Sequence, residues 1–412
     1  MKNLKNWPVV PLRQAADIAA GITMGRKTPE TDLVSVPYLR VANVQDGLLN
    51  LAVIKYVEVT RREIEKWRLQ DGDLLLTEGG DLDKLGRGAC WRGQLPLCIH
   101  QNHIFRLRFP SERYDPDFVS LQAGSPYGKA YFFAHAKKTT GIASINQQVL
   151  GSFPLLSPPL PEQQRIVGEL KAQLAAAEEA RQAAQAQLNE IRLLKIQALK
   201  AVFSAIKDSA PLGDVARIQS GYAFKSETFQ KHGVRLLRNA NIAPGRVYWD
   251  DAVFLAPSAA EAHAAYTLAE GDVLISLDRP IIKTGIKVAR VTATDLPALL
   301  VQRVGRFRID TTRLNADYLY AFLHTEPFIE AVSGHEQSLG VPHISPGQIE
   351  AIDIPLPTLV EQQRLAVILN SIADATHEAH IAAEQQLRDI ELLPSRLLAT
   401  VFDMLAAPSD DE

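Results

Sequence analysis

Residues 158–170 read PPLPEQQRIVGEL, and residues 357–365 read PTLVEQQRL. In both places prolines stand just before a Glu-Gln-Gln-Arg segment. Proline suits the first turn of a helix, because its ring presets φ and its missing N–H is not needed there. The residues that follow are nearly free of Gly and rich in Ala, Gln, Leu and Glu, which favour helix. Two long helices are therefore predicted, over 162–206 and 361–406. Gly168 and Pro394 are their only interruptions, and Pro394 should kink or divide the second.

Working outward from these starts, the rest of the chain repeats as well. PLRQAADIAAG (Pro11 to Gly21) returns as PLGDVARIQSG (Pro211 to Gly221), and GDLLL at Gly72 returns as GDVLI at Gly271. LLKIQALKAVF at Leu193 returns as LLPSRLLATVF at Leu392. Every pair is offset by 199 or 200 positions, so one unit is written twice. Residues 1–157 and 208–357 hold short β-like runs broken by Gly, Pro, Asn and Asp, which predicts two compact α+β domains. Residues 158–207 and 358–412 are the helical spacers.

Leu170, Leu174, Ala177, Arg181, Ala184, Leu188 and Ile191 follow the alternating three–four spacing of a heptad seam. In the second helix Ile372, Thr376, Ala379, Ala383, Gln386, Ile390, Leu393 and Leu397 do the same. A helix of forty-odd residues is a rod of roughly 60 Å, longer than a small domain is wide. An antiparallel pair within the chain is expected; a surface helix lying on its own domain is the alternative. Charge agrees with pairing, since residues 158–207 carry seven basic and five acidic side chains, while 358–412 carry three and ten.

The chain has 412 residues, 46% apolar and 22% charged, with a formal charge of −3. That is ordinary globular composition. No run approaches the ~20 apolar residues of a membrane helix, and the start MKNLKNWPVV has no secretory apolar stretch. Two cysteines, Cys90 and Cys98, cannot build a disulfide framework and suit a reducing cytoplasm. The near-neutral total hides a basic first domain, with 20 basic and 15 acidic side chains in residues 1–157. Such a balance fits either phosphate binding or a merely solvated surface.

Catalytic chemistry has little to stand on. GSPYGKA (Gly124 to Ala130) is one residue short of a phosphate-binding P-loop and lacks the Ser or Thr that must follow its lysine. No glycine-rich cofactor fingerprint and no Asn-Pro-Pro-aromatic motif occur. Cys90, Cys98, His100 and His103 lack the tight spacing of structural zinc sites, so no metal site is assigned. Gly79-Gly80 reads as a phosphate cradle or a plain loop.

What remains is hydrogen-bonding loop chemistry at matching places in both halves. In the first half the candidates are Arg40 and Asn43 in LRVANV, then Thr77, Glu78, Lys84 and Arg87 in TEGGDLDKLGR. Gln101 and Asn102 in HQNH, and Lys137, Lys138, Thr139 and Asn146 in AKKTTGIASIN, complete that set. In the second half they are Arg238, Asn239 and Asn241 in LRNANI, then Ser276, Arg279 and Lys283 in SLDRPIIKTG. Arg303 in VQR, and Gln337, His343 and Ser345 in HEQSLGVPHIS, follow. These residue types read base edges by paired hydrogen bonds or hold phosphates.

With its Pro-to-EQQR helix starts, helices ending LLKIQALKAVF and LLPSRLLATVF, and full repetition, the chain resembles the specificity (S) subunit of type I restriction–modification systems. The resemblance spans essentially the whole chain. It implies two repeated α/β target-recognition domains, joined by two long helices in an antiparallel coiled coil of pseudo-two-fold symmetry. It further implies a cytoplasmic subunit, non-catalytic by itself, that reads an asymmetric bipartite sequence in double-stranded DNA. Expected partners are two modification (methyltransferase) subunits and the restriction (translocase–nuclease) subunits. S-adenosylmethionine, ATP and Mg2+ are expected on those partners, and no cofactor on this chain. A non-DNA scaffold and a self-contained enzyme are the rival classes.

Overall fold

A computed structural model describes residues 7–25, 32–80, 85–139, 142–333 and 343–406. The chain forms two compact units, Met1–Ala184 with Gln386–Glu412, and Gln185–Gln385. The two units hold the two copies of one α/β domain.

In the first unit a four-stranded antiparallel sheet runs in the order Asp17–Ala20, Ile104–Arg108, Leu74–Thr77, Gly88–Cys90. Beside it lie Lys55–Thr60, Leu33–Leu39 and Ile99–His100, the last pair parallel. The second unit repeats both sheets. Its larger one runs Ala216–Ser220, Val304–Ile309, Val273–Ser276, Val288–Arg290, and its smaller one Phe254–Leu255, Val234–Leu237, Ala298–Leu300. Register repeats too, with Leu75 opposite Arg106 and Leu274 opposite Arg306. The glycine ending each PLxxxAxIxxG motif has a steric cause. A Cβ on Gly21 would lie 1.9 Å from the His100 carbonyl oxygen, and one on Gly221 would lie 2.3 Å from that of Val301.

Each domain is closed just before its helix begins. Val9–Pro11 pairs antiparallel with Pro154–Leu156, and Ser209–Pro211 with Asp353–Pro355. The long helix Leu160–Ser204 follows the first closure and Leu359–Glu391 the second. Gln163 then fastens the first helix to its domain. Its Oε1 accepts from the Asp115 N–H at 2.9 Å, while its Nε2 donates to the Arg113 and Pro158 carbonyls at 3.0 and 2.7 Å. Gln362 repeats this with the Asn315 N–H and the Arg313 and Pro357 carbonyls, each at 2.9 Å. Both glutamines are 0% exposed. The Glu and Arg of the motif do something else: Arg165 pairs with Glu162, and Arg364 with Glu361, along the helix surface.

The expected break at Pro394 occurs, and it is a division rather than a kink. Leu392 is a turn residue, and a separate helix runs Leu393–Ala406. Proline lacks an N–H for the helix ladder and would clash with the carbonyl four residues back. In the first unit this terminal helix packs on the start of the long helix, where Ile166, Val167 and Leu170 share a core with Phe402, Leu397 and Leu398. Leu174, further along, borders the same space as Pro394 and Leu398. The two segments therefore run in opposite directions. In the second unit Leu199 and Phe203 share a core with Leu365 and Leu369. Along the seam Leu170, Ala177, Ala184 and Ala383 are buried, and Leu174, Leu188, Ile191, Ile372, Ile390 and Leu397 are half-buried. Ala379, Gln386 and Leu393 are exposed, contrary to the heptad reading; the division at Leu392 accounts only for Leu393, which starts the separate helix.

Candidate functional site

At the end of the strand Leu74–Thr77 the first domain gathers several of its polar loops. The Glu78 N–H donates to the His103 carbonyl at 3.0 Å, and the Glu78 carbonyl accepts from Ile145 N–H at 2.8 Å. Glu78 is thus held between the 100–103 loop and the segment after strand Ile142–Ser144. Its carboxylate meets His103 Nδ1 at 2.5 Å on the surface. Gly79-Gly80 is neither a phosphate cradle nor a plain loop. It is a two-residue strand paired with Ala143 and Ser144, so close that a Cβ on Gly79 would lie 2.4 Å from the Ala143 carbonyl oxygen. Lys137–Thr139 continues this small sheet, with Lys137 and Lys138 exposed. The Lys138 ammonium lies 3.5 Å from the centre of the Phe133 ring. Gln101 and Asn102 are half-buried on the neighbouring loop.

The second domain builds the same place from different side chains. Asp278 lies between Arg303, whose Nη1 is at 3.1 Å, and His343, whose Nδ1 is at 2.8 Å. Arg303 and Arg279 are exposed and both have positive φ, 72° and 44°, so the backbone is bent sharply where these arginines project. Lys283 is exposed at the tip of the hairpin formed by Ile281–Ile282 and Gly285–Ile286. Carboxylate and base on a rim supported by a sheet end recur in both copies. A surface pair of this kind is worth little to stability, and both partners can exchange each other for hydrogen-bonding groups of a ligand.

Other candidates are structural. Asn43 and Asn241 are buried, and each accepts the backbone N–H of its arginine, Arg40 or Arg238, at 2.9 and 3.1 Å. Their amides donate to loop carbonyls, Asn43 to Asn50 and Asn241 to Tyr248. Arg40 reaches the Val53 carbonyl and Arg238 the Asp251 carboxylate. The repeated LRxAN motif is therefore a clip that holds a loop. Thr77 and Ser276 are 0% exposed. Ser276 Oγ contacts Asn239 Oδ1, which Lys287 Nζ also holds at 2.9 Å. Asn146 and Ser345 cap the short helices Gln147–Gly151 and Pro346–Glu350. Arg87 bonds Gln45 at 2.8 Å. Lys84, Gln337 and the Thr139 side chain lie outside the described residues.

Sequence reasoning missed His103 and Asp278 as site residues, and also Lys287, whose burial lowers its pKa. For the first two a signal existed, since each directly follows or precedes a chosen residue in a repeated loop. Lys287 sits in the alternating run IKVAR, which marks a strand but not which face is covered.

His100 lies fully buried at the start of the 100–103 loop. Burial holds the ring neutral and lowers its pKa from 6.5 to about 4. The unfolded chain binds this proton below pH ~6.5 and the folded chain only near 4, so the contribution is complete above 6.5 and lost as pH falls through that window. Between pH 6.5 and 5 the loss is expected to be about 2 kcal/mol. His100→Leu, the residue found at the equivalent Leu300, should flatten that slope. Urea unfolding by tryptophan fluorescence reads it, since Trp7, Trp67 and Trp91 all lie in the first unit.

Cys90 and Cys98 are free thiols, and burial pushes Cys98 up to about 12. Among the described residues no group of three or more His, Cys, Asp or Glu could hold a metal ion, and no helix is long and apolar enough to cross a membrane.

Residues 207–387 match the family described as Type I restriction modification DNA specificity domain. Over 353 residues the chain is 28% identical to the specificity subunit of the type I restriction enzyme MjaVIII of Methanocaldococcus jannaschii, covering 82% of this chain and 79% of that protein. Over most of its length the chain is similar to type I specificity subunits. A shorter segment of 154 residues is 44% identical to the EcoAI specificity subunit of Escherichia coli, covering 37% of this chain and only 26% of that protein. The fold agrees. The HsdS subunit from Thermoanaerobacter tengcongensis superposes with a TM-score of 0.62 at 18% identity, over 97% of both chains. A chain from work on assembly and conformational transition of the type I R-M system reaches 0.76, also at 18% identity, over 96% of this chain and 97% of that one.

Proposed function

We propose that each domain reads one half of a bipartite, asymmetric sequence in double-stranded DNA, and that the helices dock two modification subunits. The observation that carries this reading is the rim built twice at one place in the fold, with Glu78, His103, Lys137 and Lys138 in one copy. The other copy offers Asp278, Arg279, Lys283, Arg303 and His343. The rims differ position by position, with His103 matched by Arg303 and Glu78 by the buried Leu277; unlike rims favour unlike half-sites, and identical rims would favour a palindrome. Arginine and lysine supply phosphate and guanine contacts, and carboxylates accept from cytosine. Docking is supported by apolar side chains left exposed on the helices, including Val360 at 76% and Val367 at 71%. S-adenosylmethionine, ATP and Mg2+ belong in this reading to the modification and restriction subunits, and the complex works in the cytoplasm.

The test exchanges residues 208–356 for the equivalent segment of another family member and sequences the methylated motif in cells that carry the modification subunit. One half-site should change and the other stay. A palindromic motif for the parent chain, or a swap that alters both halves, would refute the proposal. Loss of salt-dependent DNA affinity in the presence of the methyltransferase would instead favour a scaffold without DNA.

A further inference from the structure

Repeats invite a comparison of each position with its twin, and one place differs in volume. In the first unit a cavity of about 430 Å3 opens between the helix Pro116–Gly124 and the two antiparallel helical segments. Its wall includes Ser120, Gly124, Leu174, Glu391, Pro394 and Leu398. A Cβ built on Gly124 would meet nothing within 4 Å. In the second unit the twins of Ser120, Gly124 and Pro394 are Tyr320, His324 and Lys195. There the Tyr320 and His324 rings pack edge to face at 4.8 Å, and the Tyr320 hydroxyl donates to the Gly245 carbonyl at 3.4 Å. Gly47, the twin of Gly245, borders the cavity of the first unit. The space that one copy fills with two aromatic rings and a lysine stem is left open in the other.

We propose that this cavity binds a small aromatic amine, whose ring takes the place of the Tyr320 and His324 rings and whose ammonium group faces Glu391. The size falls within the range of small-molecule sites, which are mostly apolar with a few polar groups. Charge favours a cation, because the Lys129 ammonium at the wall is already paired with Asp46 at 3.0 Å, while Glu391, which also attracts the exposed Arg181, adds a carboxylate where the twin position holds Arg192. A bound ring would touch Pro394 and Leu398 on the terminal helix and Ser120 on the domain, so occupancy stabilises the closure of that helix on the first domain.

The test titrates the purified full chain with tyramine and, separately, with p-cresol, by calorimetry and thermal melting. Saturable binding of one equivalent of tyramine with a rise in melting temperature is expected. The double substitution Ser120→Tyr with Gly124→His, which copies the second unit, should abolish binding while the melt stays cooperative. Glu391→Gln should weaken tyramine about fivefold, the worth of one modest ion pair, and leave p-cresol unchanged. Absence of saturable binding of either compound by the parent chain would overturn the proposal, whatever the variants do. Equal binding by the parent and the filled variant would overturn it as well.

Discussion

Gln163→Leu and Gln362→Leu are each expected to destabilise their unit by about 3–5 kcal/mol, whereas Gln164→Leu and Gln363→Leu should stay within about 0.5 kcal/mol. Leucine has nearly the volume of glutamine, so packing is kept and only the polar contacts go. Three backbone groups, one N–H and two carbonyls, then stay buried without partners, at about 1–3 kcal/mol for each before relaxation. The second glutamine of each motif, Gln164 or Gln363, is exposed. Urea unfolding of the four variants measures the contrast. Equal effects at the first and second glutamine would mean that the motif acts through helix propensity and not through the anchor.

Truncating the phenylalanine that ends each repeated helix motif should have an effect of similar size. Phe402 is 0% exposed and meets Phe118 edge to face at 5.5 Å; Phe203 is 6% exposed and meets Tyr318 at 5.1 Å and Phe322 at 5.7 Å. Alanine at either place is expected to cost about 3–5 kcal/mol, from lost transfer energy and the cavity left behind. The two changes should differ in where the chain opens. Phe402→Ala releases the terminal helix from the first domain, so limited proteolysis is expected to cut within Leu393–Ala406 before the domain unfolds. Phe203→Ala weakens the second unit, where the helix is continuous and no such early cut is expected. Early cleavage at the same site in both variants would count against separate anchoring of each helix end.

These two cases show how the repeat became structure. EQQR and AVF or TVF stood out in the sequence because they recur at one offset, yet recurrence alone does not assign roles within a motif. Gln163 is buried and Gln164 exposed because a helix turns 100° per residue and only one of two neighbours can face the domain. The same limit explains LRxAN. Its residues have the chemistry of base readers, but the Asn43 and Asn241 amides are consumed by loop carbonyls that sequence cannot place beside them.

By itself the sequence determined the double unit, the α/β character of each copy, both long helices and the break at Pro394, since these rest on local signals: periodicity, proline chemistry and repetition. Tertiary structure alone decided which polar residues reach the surface. Glu78 and His103 are 25 positions apart, as are Asp278 and Arg303, and His343 is 65 from Asp278. Strand pairing brings them together, and burial removes Thr77, Ser276 and the two asparagines from the rim. The cavity beside Pro394 is likewise a tertiary property, because an empty volume depends on what every surrounding side chain leaves unfilled.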